Sequence, residues 1–309
     1  MRTLIVGAGA IGGYLGGRLL QQGHDITFLV RERRAGELAR DGLVIRSPLG
    51  DATIPAPRTV SAAAPGTGYD LVLLACKAYD LDGAIESFAP AMGPSTIVVP
   101  MLNGMRHLEV LDARFGAARV AGGLVGLPVT LDERNHVVQL QPAQMATVGM
   151  RGAAAQPAAL VAFERGLAAA GFATAVRADI EQAMWEKWVF LGTLAAATCL
   201  MRGAVGQIVA APGGAAFLRG LLAESCAIAA ASGFDVTKGP AHERTAAQLV
   251  APGSPMTASM FRDLKGGRRI EADHVVGDLL ARGQRLGVAA PLLATAYAHL
   301  KVYEGTHSA

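Results

Sequence analysis

Lysine is scarce in this chain of 309 residues: Lys77, Lys187, Lys238, Lys265 and Lys301 are all there are. Positive charge is therefore almost entirely arginine, the net charge is only +3, and no block of five or six basic residues with interleaved aromatics occurs. A basic groove for a nucleic-acid backbone is excluded on that pattern. Cysteine is equally sparse. Cys76, Cys199 and Cys226 sit singly in apolar runs, with no Cys-x-x-Cys and no histidine at metal spacing, so a disulfide framework and a zinc site are both excluded and the three read as small core residues in a reducing compartment. Charged residues make up 17% of the chain against 51% hydrophobic, too few for a disordered or solvating tail. Long apolar runs are missing too: the longest charge-free helical run near the middle, Trp188 to Met201, falls short of the about 20 residues a bilayer crossing needs, so no membrane span is expected. The 38 glycines come with only 15 prolines and no Gly-X-Y period, which excludes collagen and assigns the glycines to turns and close backbone approaches.

At this length a single core reaches its usual limit of about 250–300 residues, and two domains are the expected arrangement. Thr3–Val6 is a short apolar run ending in a glycine turn, followed by a helical pattern to Gln22 and a stop at Gly23. His24–Val30 predicts the next strand, and the polar segment closed by Gly42 the next helix. Weaker strand signals follow in Leu43–Ile45 and Thr53–Ile54. Asp70–Ala75 and Ser95–Pro100 are continuous apolar runs of the kind found in buried parallel strands. Val120–Met150 is strand-like with turn residues, and Gln156–Ala170 returns to helix. From Ile180 nearly everything is helical, and the boundary falls near Ala175–Asp179. The pattern predicts a Rossmann-type doubly wound parallel sheet in residues 1–175 and an all-α C-terminal domain in residues 176–309.

Gly7, Gly9 and Gly12 fit Gly-x-Gly-x-x-Gly between a predicted strand and helix. In such a turn the first glycine makes the tight bend, the second lets backbone approach a pyrophosphate, and the third permits close helix–sheet packing. The helix N-terminus offers its unpaired N–H groups to the same anion. Gly7, Ala8, Gly9, Ala10, Ile11 and Gly12 are thus the candidate cofactor-binding turn, with a purely structural turn as the alternative. About twenty residues on, where an acid would receive a ribose 2′-hydroxyl, the chain has Arg31, Glu32, Arg33 and Arg34. Guanidinium groups pair with phosphate oxygens, so NADP(H) is expected over NAD(H); the alternatives are solvated arginines at a helix start, with Glu32 as an NAD-type acid.

With these residues in hand, the chain resembles the ketopantoate reductase (2-dehydropantoate 2-reductase) family, itself similar to the 6-phosphogluconate dehydrogenase-like group. The resemblance covers nearly the whole chain. It is carried by GAGAIG, QGHDITFLVR leading into Arg31, LACKA with Lys77, LNGM with Asn103, MWEKW with Lys187, and SMFRDLKGGRRIEAD with Ser259 and Glu271, in the family's order. It implies reduction of ketopantoate to (R)-pantoate with NADPH, on the pantothenate branch and in the cytoplasm. Arg31 and Lys77 match positions that hold the 2′-phosphate and adenosine part of the cofactor. Asn103 matches the asparagine near both cofactor and substrate, Lys187 the lysine that donates a proton to the substrate carbonyl oxygen, Ser259 a substrate-binding serine, and Glu271 the acid that organises substrate and cofactor. Read from residue type alone, Asn103-Gly104 is equally a turn, Lys187 a snorkelling surface residue and Glu271 a helix-capping acid.

One departure stands out. The family commonly has asparagines four and eight residues after the lysine, on the same helix face; here those positions are Leu191 and Ala195, and Thr193 and Thr198 do not share that face. An unmade hydrogen bond to a buried substrate group costs about 1–3 kcal/mol. The alternative substrate is therefore a less polar 2-oxo acid, handled by the same chemistry. A non-catalytic NADP-binding sensor is a further alternative, opposed by the presence of Lys187 and Glu271. The partner expected is a small 2-oxo acid, and the alanine- and glycine-rich helices of the second half suit a homodimer interface.

Overall fold

Strand β1 (Arg2–Val6) is buried over its last four residues and runs between two parallel neighbours, β2 (Asp25–Leu29) and β6 (Leu71–Leu74). The computed structural model describes residues 1–152 and 155–307. Two further strands, β5 (Thr59–Val60) beside β2 and β7 (Ile97–Pro100) beside β6, complete a five-stranded sheet in the order β5-β2-β1-β6-β7, parallel at every pairing. Every residue of β6 and β7 is buried, as a parallel strand covered on both faces requires. The chain leaves β1 toward β2 on one side, while β6 lies on the other. That reversal is the switch point outside which ligands bind in doubly wound sheets.

Helix α1 (Ala10–Gln21) lies close on this sheet because it turns glycine toward it: a Cβ at Gly16 would stand 2.5 Å from the Phe28 ring; Gly17 meets Ile45, outside this sheet, where a Cβ would stand at 2.6 Å. Around the parallel sheet come α2 (Glu32–Asp41), an antiparallel pair β3 (Leu43–Arg46) and β4 (Ala52–Ile54), α3 (Leu81–Phe88) and α4 (Arg106–Phe115). The weak strand signals at Leu43 and Thr53 therefore belong to a separate sheet. It has the order β4-β3-β10-β9, with β9 at Val129–Leu131 and β10 at Val137–Gln139. A third sheet joins β8 (Ala121–Gly126), β11 (Met145–Met150) and β12 (Ala173–Val176), with α5 (Ala158–Ala169) between the last two in sequence.

From α6 (Ile180–Met201) onward no strand occurs among the described residues. The elements are α7 (Val205–Ala210), α8 (Gly214–Ala231), α9 (Gly239–Leu249), α10 (Ser259–Lys265), α11 (Asp278–Arg285) and α12 (Pro291–His307). A π-helical turn, Asp273–Gly277, leads directly into α11. The chain divides into two units: Met1–Leu102 with His107–Glu181, and Asn103–Arg106 with the chain from Gln182 onward. The α/β sheet followed by a helical region is as the sequence pattern predicts.

Helix α8, and not the segment Trp188–Met201, is long and apolar enough to cross a membrane by length and composition. Its Leu218, Leu221 and Ile228 are buried, and Glu224 accepts the backbone N–H groups of Leu292 and Leu293 at 3.0 and 2.9 Å, so it is packed against protein at the start of α12. Of the cysteines, Cys199 and Cys226 are buried and burial pushes their thiols up, to about 12 and about 11. Cys76 departs from the core expectation: it is half-buried, just past the end of β6.

Candidate functional site

Three loops leave the carboxyl ends of the adjacent strands β2, β1 and β6, and they carry Arg31, the glycine turn and Lys77 respectively. Gly7 has φ +96°, a conformation side chains rarely adopt, and its N–H is held by the Leu29 carbonyl at 3.0 Å. A Cβ at Gly9 would meet nothing within 4 Å, so the space above that backbone is open. At Gly12 a Cβ would stand 2.1 Å from the Gly7 carbonyl oxygen. These match the three separate demands of a pyrophosphate-binding turn, and α1 begins at Ala10 with no side chain capping it at Gly9, the end at which a helix offers N–H groups without intrahelical partners. The residues present fit a dinucleotide.

Arg31 caps the start of α2 with its side chain 85% exposed and pairs with Asp80 at 2.9 Å, so the loops after β2 and β6 meet in front of β1. Lys77 is half-buried at the head of the short 3-10 turn Ala78–Asp80, and its carbonyl accepts the Asp80 N–H at 2.9 Å. The cluster of three arginines inferred from sequence is reduced by the structure. Arg34 is consumed internally, donating to the carbonyls of Ala8 (3.2 Å) and Asn135 (3.1 Å) and pairing with Glu37. Arg33 lies beside the same Glu37 at 3.5 Å. Arg34 is instead a brace for the glycine turn, a role with no signal in the residue pattern.

In the second unit Asn103 and Lys187 meet directly: the Lys187 Nζ donates to Asn103 Oδ1 at 3.2 Å. Trp188 fixes this stretch of α6 by donating its indole N–H to the Val275 carbonyl at 2.9 Å, and Trp185 packs on Trp188 with ring centroids 4.9 Å apart. Burial lowers the Lys187 ammonium from 10.5 to about 8, opposed by the Glu271 carboxylate. Glu271 is therefore within electrostatic reach of the lysine. Ser259 is not joined to this group; it stands exposed at the first position of α10. Leu191 is half-buried and Ala195 buried, one and two turns along α6 from Lys187. Thr193 bonds Ser225 and Thr198 bonds the Leu194 carbonyl, so neither hydroxyl replaces a missing amide.

His274 is the residue sequence reasoning missed. It is buried in the π turn three residues after Glu271, and burial lowers its pKa, with Glu271 opposing. Gly104, at φ +77°, leaves room for it: a Cβ there would be 2.7 Å from the His274 carbonyl oxygen and 3.0 Å from its ring. The Gly after Asn103 is thus demanded both by conformation and by the π turn. Helical periodicity cannot register a π turn, which is why this contact had no signal. A hollow of about 740 Å³ at the far end of α1, lined by Arg18, Gln21 and Gln144 among others, contains none of these residues. No group of three or more His, Cys, Asp or Glu side chains suited to a metal occurs among the described residues.

A glycine turn at the switch point of a parallel sheet, followed by a helical region, defines the class of dinucleotide-binding-fold proteins. Within that class the chain belongs to the ketopantoate reductase family: residues 3–151 match "Ketopantoate reductase PanE/ApbA" and residues 179–304 its C-terminal part. It is 35% identical to the uncharacterized oxidoreductase YkpB of Bacillus subtilis (strain 168), covering 98% of this chain and 99% of that one. It is 27% identical to a 2-dehydropantoate 2-reductase of Halobacterium salinarum, covering 96% of each. The crystal structure of a 2-dehydropantoate 2-reductase from Geobacter metallireducens GS-15 superposes with a TM-score of 0.86 at 28% identity, over 97% of this chain and 99% of that one.

Proposed function

We propose that this protein is a cytoplasmic NADPH-dependent reductase that converts 2-dehydropantoate to (R)-pantoate, with Lys187 as the proton donor. The observation that carries the assignment is a half-buried lysine amine held on Asn103 Oδ1 at 3.2 Å and brought by burial to a pKa of about 8. An acid is most effective when its pKa lies near the working pH, and such positioned acids contribute about 10²–10⁴-fold. The turn from Gly7 to Gly12 would hold the pyrophosphate, and Arg31 and Lys77 the 2′-phosphate and adenosine end; Arg31 needs only to exchange its exposed pairing with Asp80 for a phosphate. The bound dinucleotide supplies a hydride to the 2-oxo carbon. The carbonyl oxygen then develops alkoxide charge, which the Lys187 ammonium stabilises and neutralises by transferring its proton. Asn103 fixes the direction of the Nζ, and Glu271 keeps the amine protonated up to near pH 8. Ser259, exposed on α10, is left to contact the part of the substrate away from the carbonyl.

A second substrate is favoured by Leu191 and Ala195, which present methyl groups where amides would meet the hydroxyl of pantoate. On that ground a less polar, branched 2-oxo acid is reduced by the same residues. The acid role is tested with Lys187→Ala: cofactor affinity should stay within about twofold while turnover falls at least 100-fold. Full turnover by the variant removes Lys187 from the mechanism.

A further inference from the structure

A 2-oxo acid carries its carboxylate on the carbon next to the carbonyl, so the group that receives the carboxylate has to stand beside the group that protonates the carbonyl oxygen. Lys187 cannot do both. Once it has given up its proton it is neutral, and the carboxylate would be left without a counter-charge as the product forms. A guanidinium keeps its charge throughout and presents two parallel donors to a carboxylate.

Resting on the reading of the protein as a 2-oxo acid reductase, we propose that Arg106 is the residue that anchors the substrate carboxylate. It is three residues from Asn103, at most about 11 Å of chain, and belongs with Asn103, Gly104 and Met105 to the same unit as Lys187 and Glu271. It is the first residue of α4 and is exposed. Its charge is felt by Asp273 and His274 of the π turn that packs against Gly104. Yet Arg106 makes no hydrogen bond or ion pair among the described residues. Asp273, the anion nearest in this sense, is already occupied by Lys301 at 2.9 Å and by the Tyr297 hydroxyl at 2.6 Å. Several cations of this unit are engaged, among them Arg262 on the Thr257 carbonyl, Arg268 on Asp263, Arg282 on Asp278 and Lys238 on Asp235; what distinguishes Arg106 is its place three residues after Asn103. With Leu191 and Ala195 supplying no polar atom along α6, the recognition of the acid shifts from amides on that helix to a guanidinium at the start of α4, and the selectivity becomes one for the carboxylate rather than for hydroxyls.

The test is steady-state kinetics of wild type, Arg106→Gln and Arg106→Lys at saturating NADPH, with 2-dehydropantoate, 2-ketoisovalerate and the methyl ester of 2-ketoisovalerate. Arg106→Gln should raise KM for the acids about 10- to 100-fold, change kcat less than KM, leave KM for NADPH and the ester kinetics unaltered, and be partly rescued by Arg106→Lys. Acid KM values that do not move, or that move equally for acid and ester, overturn the assignment while leaving the reductase reading intact. A wild type that turns over none of the 2-oxo acids overturns that reading and this inference with it.

Discussion

Holding a lysine ammonium in the interior works against stability, and the size of the effect follows from the position of Lys187. A fall from 10.5 to about 8, at about 1.4 kcal/mol per pH unit, amounts to about 3 kcal/mol against the charged form. Removing the amine also removes its bond to Asn103 Oδ1, worth about 1 kcal/mol, and the half-buried position screens part of the remainder. Lys187→Met should therefore stabilise the protein by about 1–2 kcal/mol at pH 7, even as it abolishes turnover. The sign of the pH dependence is fixed. Because the folded-state pKa lies below the unfolded one, the unfolded chain binds more protons between about 8 and 10.5, so wild-type stability rises with pH across that interval. The advantage of the methionine variant is full below pH 8 and gone by pH 10.5. Urea unfolding at pH 7 and at pH 10 measures it. A variant less stable than wild type at pH 7, or equally favoured at both pH values, refutes the account of how the lysine is tuned.

Other residues give separate expectations. Glu271 raises the Lys187 pKa, so Glu271→Gln should move the alkaline limb of the reductive pH–rate profile below its wild-type position near pH 8; an unmoved limb separates Glu271 from the acid. Arg31→Ala should raise KM for NADPH about tenfold or more and leave KM for NADH within about twofold, read from initial rates with each cofactor. Gly12→Ala puts a Cβ 2.1 Å from the Gly7 carbonyl and should cost about 1–3 kcal/mol in thermal unfolding together with weaker cofactor binding. Leu191→Asn should raise kcat/KM for 2-dehydropantoate relative to 2-ketoisovalerate if an amide at that position reads the substrate hydroxyl; no change in the ratio places the discrimination elsewhere.

The glycine turn was legible from its spacing: in the structure Gly7 has φ +96° and a Cβ at Gly12 would stand 2.1 Å from the Gly7 carbonyl oxygen, while the backbone at Gly9 faces open space. The parallel strands were legible from unbroken apolar runs such as Leu71–Leu74. What pattern could not convey was partnership. Three arginines within four residues look alike in sequence, yet Arg34 is spent on the Ala8 carbonyl while Arg31 faces outward. The meeting of Lys187 with Asn103 joins residues 84 apart in sequence, and neither α6 nor the loop holding Asn103 carries a local signal of it. His274 was invisible because a π turn breaks the 3.6-residue period on which helix faces are read.

The most direct test of the central claim is the oxidation of NADPH, followed by absorbance, with purified protein and a panel of 2-oxo acids that includes 2-dehydropantoate, 2-ketoisovalerate and pyruvate. The account predicts turnover that depends on the 2-oxo acid, is stronger with the branched acids than with pyruvate, and disappears in Lys187→Ala. Tight NADPH binding with no oxidation on any member of the panel would contradict it and leave a dinucleotide-binding protein without reductase activity.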